Sequence, residues 1–230
     1  QGESSKKVTV NANILTYDEE TGVITGDGEV LVRNQDILLS APYVEYDSEN
    51  QQLSARSDTT GFITFQSGGK KLSGESLNYN ILARRGYLTH ASGKVESFYI
   101  KGKSIELFPA EELSRSRKVK SGDQTAKGDD VAGIWYGVYV TTCDAPKPHY
   151  RLQAREVVVI PGDRVIIRKP RVYLGERLLY THLFDYVVKE KDGKQRATKL
   201  FPRLGYESSK GAGIGISGPI TWESGHVELG

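Results

Sequence analysis

Two stretches near the start of the chain, Ala12-Asn-Ile-Leu-Thr-Tyr-Asp18 and Ala41-Pro-Tyr-Val-Glu-Tyr-Asp47, repeat one pattern. The pattern is a small residue, two variable positions, an aliphatic residue, one variable position and then Tyr or Leu, and in these two stretches an aspartate follows. It returns at Gly74 to Asn80, where Asn follows the tyrosine, at Gly102 to Leu107, where Leu replaces the tyrosine, and in reduced form at Ala154 to Val159. The tyrosines of successive repeats lie about 30 residues apart, a length that fits two β-strands with their turns.

Each repeat brings its aliphatic residue and the residue two positions on (Tyr, Leu or Val) to one face of a strand, because residues two apart point to the same side of a sheet. Stacked repeats therefore predict a continuous apolar face inside a sheet that folds over on itself. Such a face can receive acyl chains, since each buried CH2 contributes about 0.8 kcal/mol. The same residues also fit the closed core of an ordinary β-sandwich, so both interpretations stay open here. The predicted lining comprises Leu15, Tyr17, Ile24, Val30, Val32, Val44, Tyr46, Leu77, Tyr79, Ile105, Leu107, Val157 and Val159.

The composition agrees with a β-sheet protein of 230 residues. The chain has 13 Tyr and 25 Gly, and its strand-like runs are separated by short turns without a sustained helical period. Only Ala110 to Leu113 predicts a single helical turn. The formal net charge of +2 argues against a dedicated nucleic-acid binder, and no apolar run approaches the roughly 20 residues of a membrane-spanning helix. The sequence therefore predicts an all-β fold.

The character of the sequence changes at a charged stretch, Lys189 to Arg196. Beyond it, Leu204 to Ile216 is rich in glycine and alternates in polarity, which is typical of outer-membrane β-barrel strands. We therefore predict one domain over residues 1–188, followed by a linker and the first strands of a truncated barrel over 189–230. The absence of an initiator methionine leads us to expect that a signal peptide has already been removed.

The sequence holds no pattern that predicts catalysis, a metal site or a cofactor. The histidines at 90, 149, 182 and 226 lack the spacing of metal ligands, and Gly211 to Gly215 lacks the residues of a phosphate-binding loop. The single cysteine, Cys143, excludes an internal disulfide and multi-cysteine zinc sites. A Cys143–His149 dyad is disfavoured because Pro146 and Pro148 predict an extended segment between the two residues. We therefore predict a protein that is not an enzyme.

The repeat form resembles the OstA-like domain of lipopolysaccharide transport. The match consists of Ala12 to Asp18, Thr21-Gly22 and Gly28-Glu-Val30. The second half of the chain is similar to the LptD family of lipopolysaccharide-assembly proteins, also called organic solvent tolerance proteins. The segments that carry this similarity are Tyr139 to Asp144, Pro148 to Ala154, Pro161 to Asp163, Val172 to Gly175 and Phe201 to Tyr206 with Gly211.

The resemblance implies an OstA-like β-jellyroll on the periplasmic side of the Gram-negative outer membrane, leading into a barrel. Lipopolysaccharide would pass from a bridge protein into the hydrophobic groove of the jellyroll, with its acyl chains inside, and then toward the barrel. The edge strand around Val8, Thr9 and Val10 would accept an LptA-like bridge protein by strand addition. An LptE-like plug lipoprotein would be a further partner where a barrel is present.

The resemblance implies a disulfide role for Cys143. An unpaired thiol is unusual in an oxidising periplasm. Because the resemblance places Cys143 just before the barrel, we expect its disulfide partner in a missing C-terminal region. Three alternatives stay open: a barrel-less periplasmic bridge protein for lipopolysaccharide, a structural or carbohydrate-binding β-sandwich, and a solenoid or sandwich hydrolase.

Overall fold

The computed structural model describes residues 8–34, 36–59, 61–67, 70–95, 98–115, 131–144, 147–191, 194–197, 201–207, 211–222 and 225–229. Strands dominate these residues. In chain order the elements are β1 (Thr9–Asn11), β2 (Ile14–Asp18), β3 (Val23–Arg33), β4 (Ile37–Asp47), β5 (Gln52–Arg56), β6 (Ile63–Ser67), β7 (Lys70–Gly74), β8 (Ser76–Asn80), β9 (Arg85–Thr89), β10 (Ser92–Val95), β11 (Phe98–Lys101), β12 (Ser104–Pro109), α1 (Ala110–Arg115), β13 (Val131–Thr141), β14 (Tyr150–Ile160), β15 (Arg164–Ile167), β16 (Arg171–Leu174), β17 (Arg177–Thr181), β18 (Tyr186–Lys191), β19 (Lys194–Ala197), β20 (Phe201–Glu207), β21 (Gly211–Trp222) and β22 (Gly225–Leu229).

Strands β1 to β19 form one antiparallel sheet that is folded into two layers. Four strands of 11 residues, β3, β4, β13 and β14, run through both layers, and each pairs with different strands along its two halves. Layer A contains, in order of pairing, β2, residues 23–27, residues 43–47, β5, β8, β9, β12, residues 131–136, residues 156–160, β15, β18 and β19. Layer B contains β1, residues 30–33, residues 37–41, β6, β7, β10, β11, residues 138–141, residues 150–154, β16 and β17.

The chain crosses between the layers at corners that stack on one side of the molecule. Backbone hydrogen bonds continue from one corner to the next: the His90 N–H donates to the Lys103 carbonyl (2.7 Å), and the Lys103 N–H donates to the Tyr136 carbonyl (2.9 Å). In β3 the corner is a bulge between Asp27 and Val30, where Gly28 has a φ of 71°. Glycine tolerates this left-handed conformation without steric cost.

The small residue that begins each repeat lies at a corner, where neighbouring segments approach closely. A Cβ added to Gly74 would lie 2.6 Å from both Leu88 Cδ1 and the Thr89 carbonyl oxygen. A Cβ added to Gly102 would lie 3.1 Å from the Tyr136 carbonyl oxygen. The repeat therefore requires a small residue at this position because a larger side chain has no room.

The main core lies between the two layers. Its buried residues come from both layers and extend from Val30 to Val188. Contact across the layers is direct, because the rings of Phe65 in layer B and Tyr79 in layer A have centroids 5.0 Å apart. A second, smaller core covers the outer face of layer A, where Ala110 and Leu113 of α1 lie over a buried apolar set. This set consists of Ala132, Ile134, Val158, Ile160 and Ile166.

The structure confirms the all-β prediction, and the single helical turn predicted at Ala110 belongs to α1. The predicted division after residue 188 stays a prediction. Strand β18 continues to Lys191 and pairs with β19, and β20 to β22 form a separate three-stranded sheet. The only helix in the described part of the chain, α1, is too short to cross a membrane.

Candidate functional site

The candidate site is the apolar interior between layers A and B. Ten of the thirteen predicted lining residues lie in this interior and are at most 6% exposed: Val30, Val32, Val44, Tyr46, Leu77, Tyr79, Ile105, Leu107, Val157 and Val159. Ile24 is partly buried and packs against the same core. The repeat pattern thus identified side chains that the fold brings together along most of the sheet.

The first repeat behaves differently from the others. Leu15 and Tyr17 are 53% and 58% exposed, and Ile14 beside them is 65% exposed. They belong to β2, which pairs only with β3 among the described strands and therefore forms the edge of layer A. The apolar pattern at the N-terminal end thus continues onto an exposed edge and not into the core.

The predicted partner strand lies at the same end of the sheet. Strand β1 begins at Thr9, one residue after Val8, and pairs with β3 through Thr9–Arg33 and Val10–Val32. It is the edge strand of layer B within the described residues. Both layers consequently present an edge strand at the N-terminal end. The edge at β1 was predicted from the sequence, and the edge at β2 was not.

The side of the molecule opposite the corners is held together by side chains. We call this side the mouth. There, β8 of layer A ends in the turn that contains Arg84, and β4 of layer B begins directly after Asp36. Tyr79 is 1% exposed and meets Phe65 across the layers. Burial raises the pKa of Tyr79 to about 12, while the nearby charge of Arg84 acts to lower it and that of Asp36 to raise it. Charges from both layers therefore converge on one buried phenol at the mouth.

The interior side chains are almost fully buried. A cavity of about 40 Å³ lies between Phe65 and Leu72 of layer B and Leu107 and Trp135 of layer A. This space is close to that of a single water molecule, which occupies about 30 Å³ in the liquid. An acyl chain would require the layers to separate at the mouth, since the backbone joins them at the corners.

The structure brings Cys143 and His149 together, contrary to the expectation from the two prolines. Cys143 Sγ lies 3.6 Å from His149 Nδ1. The thiol is free and half-buried. No third side chain orients the imidazole among the contacts of the described residues, so the pair lacks the positioning group of a nucleophilic triad. The described residues also contain no cluster of three or more His, Cys, Asp or Glu side chains able to hold a metal ion.

A second concavity of about 1180 Å³ lies on the outer surface along the last corners, and we call it the corner groove. It is more polar than the interior and includes several cationic side chains. The lining residues are Tyr136, Gly137, Val138, Tyr139, Gln153, Ala154, Arg155, Glu156, Arg168, Lys169, Arg171, Thr181, His182, Leu183 and Asp185. This groove was not predicted from the sequence. The available signal was the run Arg168-Lys-Pro-Arg171, which brings three cations to one corner.

The antiparallel sheet folded into two layers is a jellyroll-like fold, as predicted. Comparisons with known proteins add the following. No family model matches the chain, and no curated protein matches it. Among solved structures, the chain is similar to LptH from Pseudomonas aeruginosa, described as the LptA homologous periplasmic component of the conserved lipopolysaccharide transport device. The identity is 16% and the TM-score is 0.42, over 56% of this chain and 94% of LptH. A likeness of this size does not transfer function.

Proposed function

We propose that this chain carries lipopolysaccharide at the periplasmic side of the outer membrane, with the acyl chains held between layers A and B. The observation that carries the proposal is the apolar interior, which is continuous along the sheet and closed on one side by backbone and on the other by side chains. A two-layer sheet of this kind can open along one side without breaking its strand pairing. The resemblance of the repeats to the OstA-like domain supports the same function.

Acyl chains suit this interior for energetic reasons. Opening the mouth exposes apolar side chains to water, which costs free energy. Burial of each CH2 of a bound acyl chain then contributes about 0.8 kcal/mol of favourable free energy. Apolar contacts have no fixed direction, so a bound chain can slide along the groove. The interior contains no ion pair among the described core residues that would halt such movement.

The N-terminal end is the proposed receiving end. Edge strands β1 and β2 offer unpaired backbone groups to an LptA-like bridge protein, which would add a strand to the sheet. Leu15 and Tyr17 on β2 would then continue the apolar strip into the partner. An unprotected edge promotes aggregation, so covering it also protects the protein.

The finer assignment is to the LptD family. In that assignment, residues 1–188 form the periplasmic domain, and residues 189–230 lead into an outer-membrane barrel that an LptE-like lipoprotein plugs. Cys143 would form a disulfide with a cysteine outside these 230 residues. Thiol titration of the full-length protein, purified without reductant, tests the pairing: we expect Cys143 to be blocked, and a free thiol there would rule the disulfide out.

Site-specific photo-crosslinking tests lipid binding. Tyr46 and Tyr43 lie on the same half of β4 but on opposite faces: Tyr46 is 5% exposed in the core, whereas the Tyr43 hydroxyl donates to Glu45 on the outer face (2.5 Å). We expect p-benzoylphenylalanine at position 46 to label lipopolysaccharide, and the matched substitution at position 43 to give background labelling. A second interior probe at Leu77 should behave like position 46.

The second candidate function is a β-sandwich with a permanently closed core, in a structural or carbohydrate-binding role. The small volume of the interior cavity favours it. Equal labelling at positions 46 and 43, or labelling at neither, would favour the closed sandwich and exclude transport through the interior.

A further inference from the structure

A cluster of large apolar side chains is exposed near the C-terminal end of layer B. Leu183 and Phe184 are 73% and 62% exposed, on the corner that joins β17 to β18. Leu178, Leu179 and Tyr180 of the preceding edge strand are also 44–52% exposed, but on both faces of the strand, because Leu178 pairs with Tyr173 and Tyr180 pairs with Val172. Adjacent exposed apolar side chains such as Leu183 and Phe184 mark an interaction site more often than scattered single residues do. We call Leu183 and Phe184 the apolar tip.

The apolar tip is held in place by several contacts. The His182 N–H donates to the Pro170 carbonyl oxygen (2.8 Å), and His182 Nδ1 lies 2.8 Å from the Phe184 carbonyl oxygen. The His182 ring packs edge-on between Tyr180 and Phe184, with centroid distances of 5.8 and 6.4 Å. Asp185, which ends the corner, accepts a hydrogen bond from Arg168 Nη1 (2.7 Å). The corner therefore presents its apolar side chains in a defined geometry.

The apolar tip lies on the rim of the corner groove, which is positively charged. Leu183 itself lines the groove beside four cations, Arg155, Arg168, Lys169 and Arg171, and two carboxylates, Glu156 and Asp185. Arg168 is held by both carboxylates, at 2.7 Å each. No ion pair with another described side chain involves the three remaining cations, which leaves the groove with an excess of positive charge.

We propose that the corner groove and the apolar tip dock onto the surface of an anionic phospholipid bilayer. The three cations bind lipid phosphates, while Leu183 and Phe184 insert between the headgroups. This pairing of an exposed apolar element with adjacent cations is the arrangement by which peripheral proteins bind anionic membranes. Tyr180 suits the interface, because the amphipathic ring of tyrosine favours headgroup depth. The site lies on the outer surface and does not depend on the proposed function of the interior.

Vesicle flotation with the full 230-residue chain tests the proposal. We expect the protein to float with phosphatidylethanolamine vesicles that contain phosphatidylglycerol, and to remain unbound with phosphatidylcholine vesicles. Leu183→Asp/Phe184→Asp should abolish flotation. Lys169→Glu/Arg171→Glu should weaken it at least about tenfold, since each cation near an anionic surface contributes about fivefold in partitioning. Added salt should reduce the wild-type binding, because it screens exposed charges.

Matched controls separate docking from general surface effects. Phe62 and Leu82 are 71% and 73% exposed elsewhere on the molecule, so Phe62→Asp/Leu82→Asp removes equivalent apolar surface away from the groove. Arg33→Glu/Lys71→Glu reverses two exposed cations in the same way. Both controls should float like the wild type, and circular dichroism should show the same β-sheet signal for all variants.

Three outcomes would overturn the proposal. They are the absence of wild-type flotation, an equal loss in the control variants, and a concentration-dependent dimer that Leu183→Asp/Phe184→Asp abolishes without any vesicle binding. The last result would assign the apolar tip to self-association. This failure differs from failure of the proposed interior function, which would show as no lipopolysaccharide labelling at position 46 while flotation remains intact.

Discussion

At the scale of single residues, the corners explain why the repeats begin with alanine or glycine. The backbone of one corner lies against the side chains and carbonyl groups of the next, so even one additional carbon atom creates an overlap at Gly74. Overlap with backbone is costly because the opposing atoms cannot move independently of the sheet.

Gly74→Ala should destabilise the fold by about 1–3 kcal/mol through this overlap. Gly61→Ala is the matched control, because the added Cβ would lie 3.6 Å from Pro42 Cγ, an ordinary contact, and Gly61 does not have a positive φ. We expect the control to change stability by no more than about 0.5 kcal/mol. Urea unfolding followed by tryptophan fluorescence measures both variants, and equal effects would contradict the proposed role of the corner.

Because burial raises the pKa of Tyr79, we predict that the protein loses stability at high pH. In the folded chain, burial raises its pKa to about 12, whereas in the unfolded chain the phenol ionises near its ordinary value of 10.0. Between these values the unfolded state binds fewer protons, so the free energy of unfolding falls as pH rises, by about 2 kcal/mol in all. Tyr79→Phe removes the ionisable group, and its unfolding free energy should fall less steeply between pH 10 and 12. An unchanged slope would show that Tyr79 does not ionise on unfolding.

At the scale of elements, α1 acts as a cover for the outer face of layer A. Leu113 is 3% exposed and packs with Ile134 and Val158, which point away from the interior. Without the helix, this part of the sheet would present apolar side chains to water on a face that is solvated in most antiparallel sheets.

Leu113→Ala should therefore lower the free energy of unfolding by about 2–5 kcal/mol, the range for truncating a buried leucine. Glu111→Ala, on the exposed side of the same short helix, should cost less than about 1 kcal/mol. Chemical denaturation compares the two variants. A cost for Leu113→Ala as small as that for Glu111→Ala would mean that α1 is dispensable to the fold.

Element by element, the sequence predicted the parts of the fold that depend on local pattern. The two-residue period placed Leu77 with Tyr79 and Val157 with Val159 on the inner face, because alternation in a strand is a local property. The exposure of Leu15 and Tyr17 was not predictable in this way. Their pattern equals that of the buried repeats, and only the missing neighbour strand at the edge makes the difference.

In the candidate site, too, some features follow from local sequence pattern and others do not. The unbroken run Val157-Val-Val-Ile160 indicates burial on both faces, yet nothing local shows that α1 provides the outer cover. The corner groove joins residues from four separate corners, and the attachment of Arg168 to Glu156 and Asp185 depends on their pairing in space. Such features arise from tertiary structure, which periodicity does not encode.

At the scale of the whole molecule, the proposed function requires that lipid enters the interior only when the mouth opens. Asp36 and Arg84 belong to opposite layers and both act on the Tyr79 phenol. Asp36→Cys/Arg84→Cys, made in a Cys143→Ser background, allows the two layers to be tethered with a short bismaleimide.

Tethering should strongly reduce the photo-labelling of lipopolysaccharide at position 46, because the layers can no longer separate. Treatment of the same variant with N-ethylmaleimide modifies both thiols without joining them and should leave the labelling unchanged. Undiminished labelling of the tethered protein would mean that lipid reaches the interior from an end of the sheet.

The order of strand pairing has a consequence for how such molecules vary in size. Every pairing in layers A and B joins strands that are close in the chain, as in repeat proteins whose units contact only their neighbours. A unit that begins at one corner and ends at the next can therefore be inserted or removed while the remaining units keep their partners. The length of the interior is set by the number of units, so duplication of a repeat would lengthen the apolar interior without requiring a new fold.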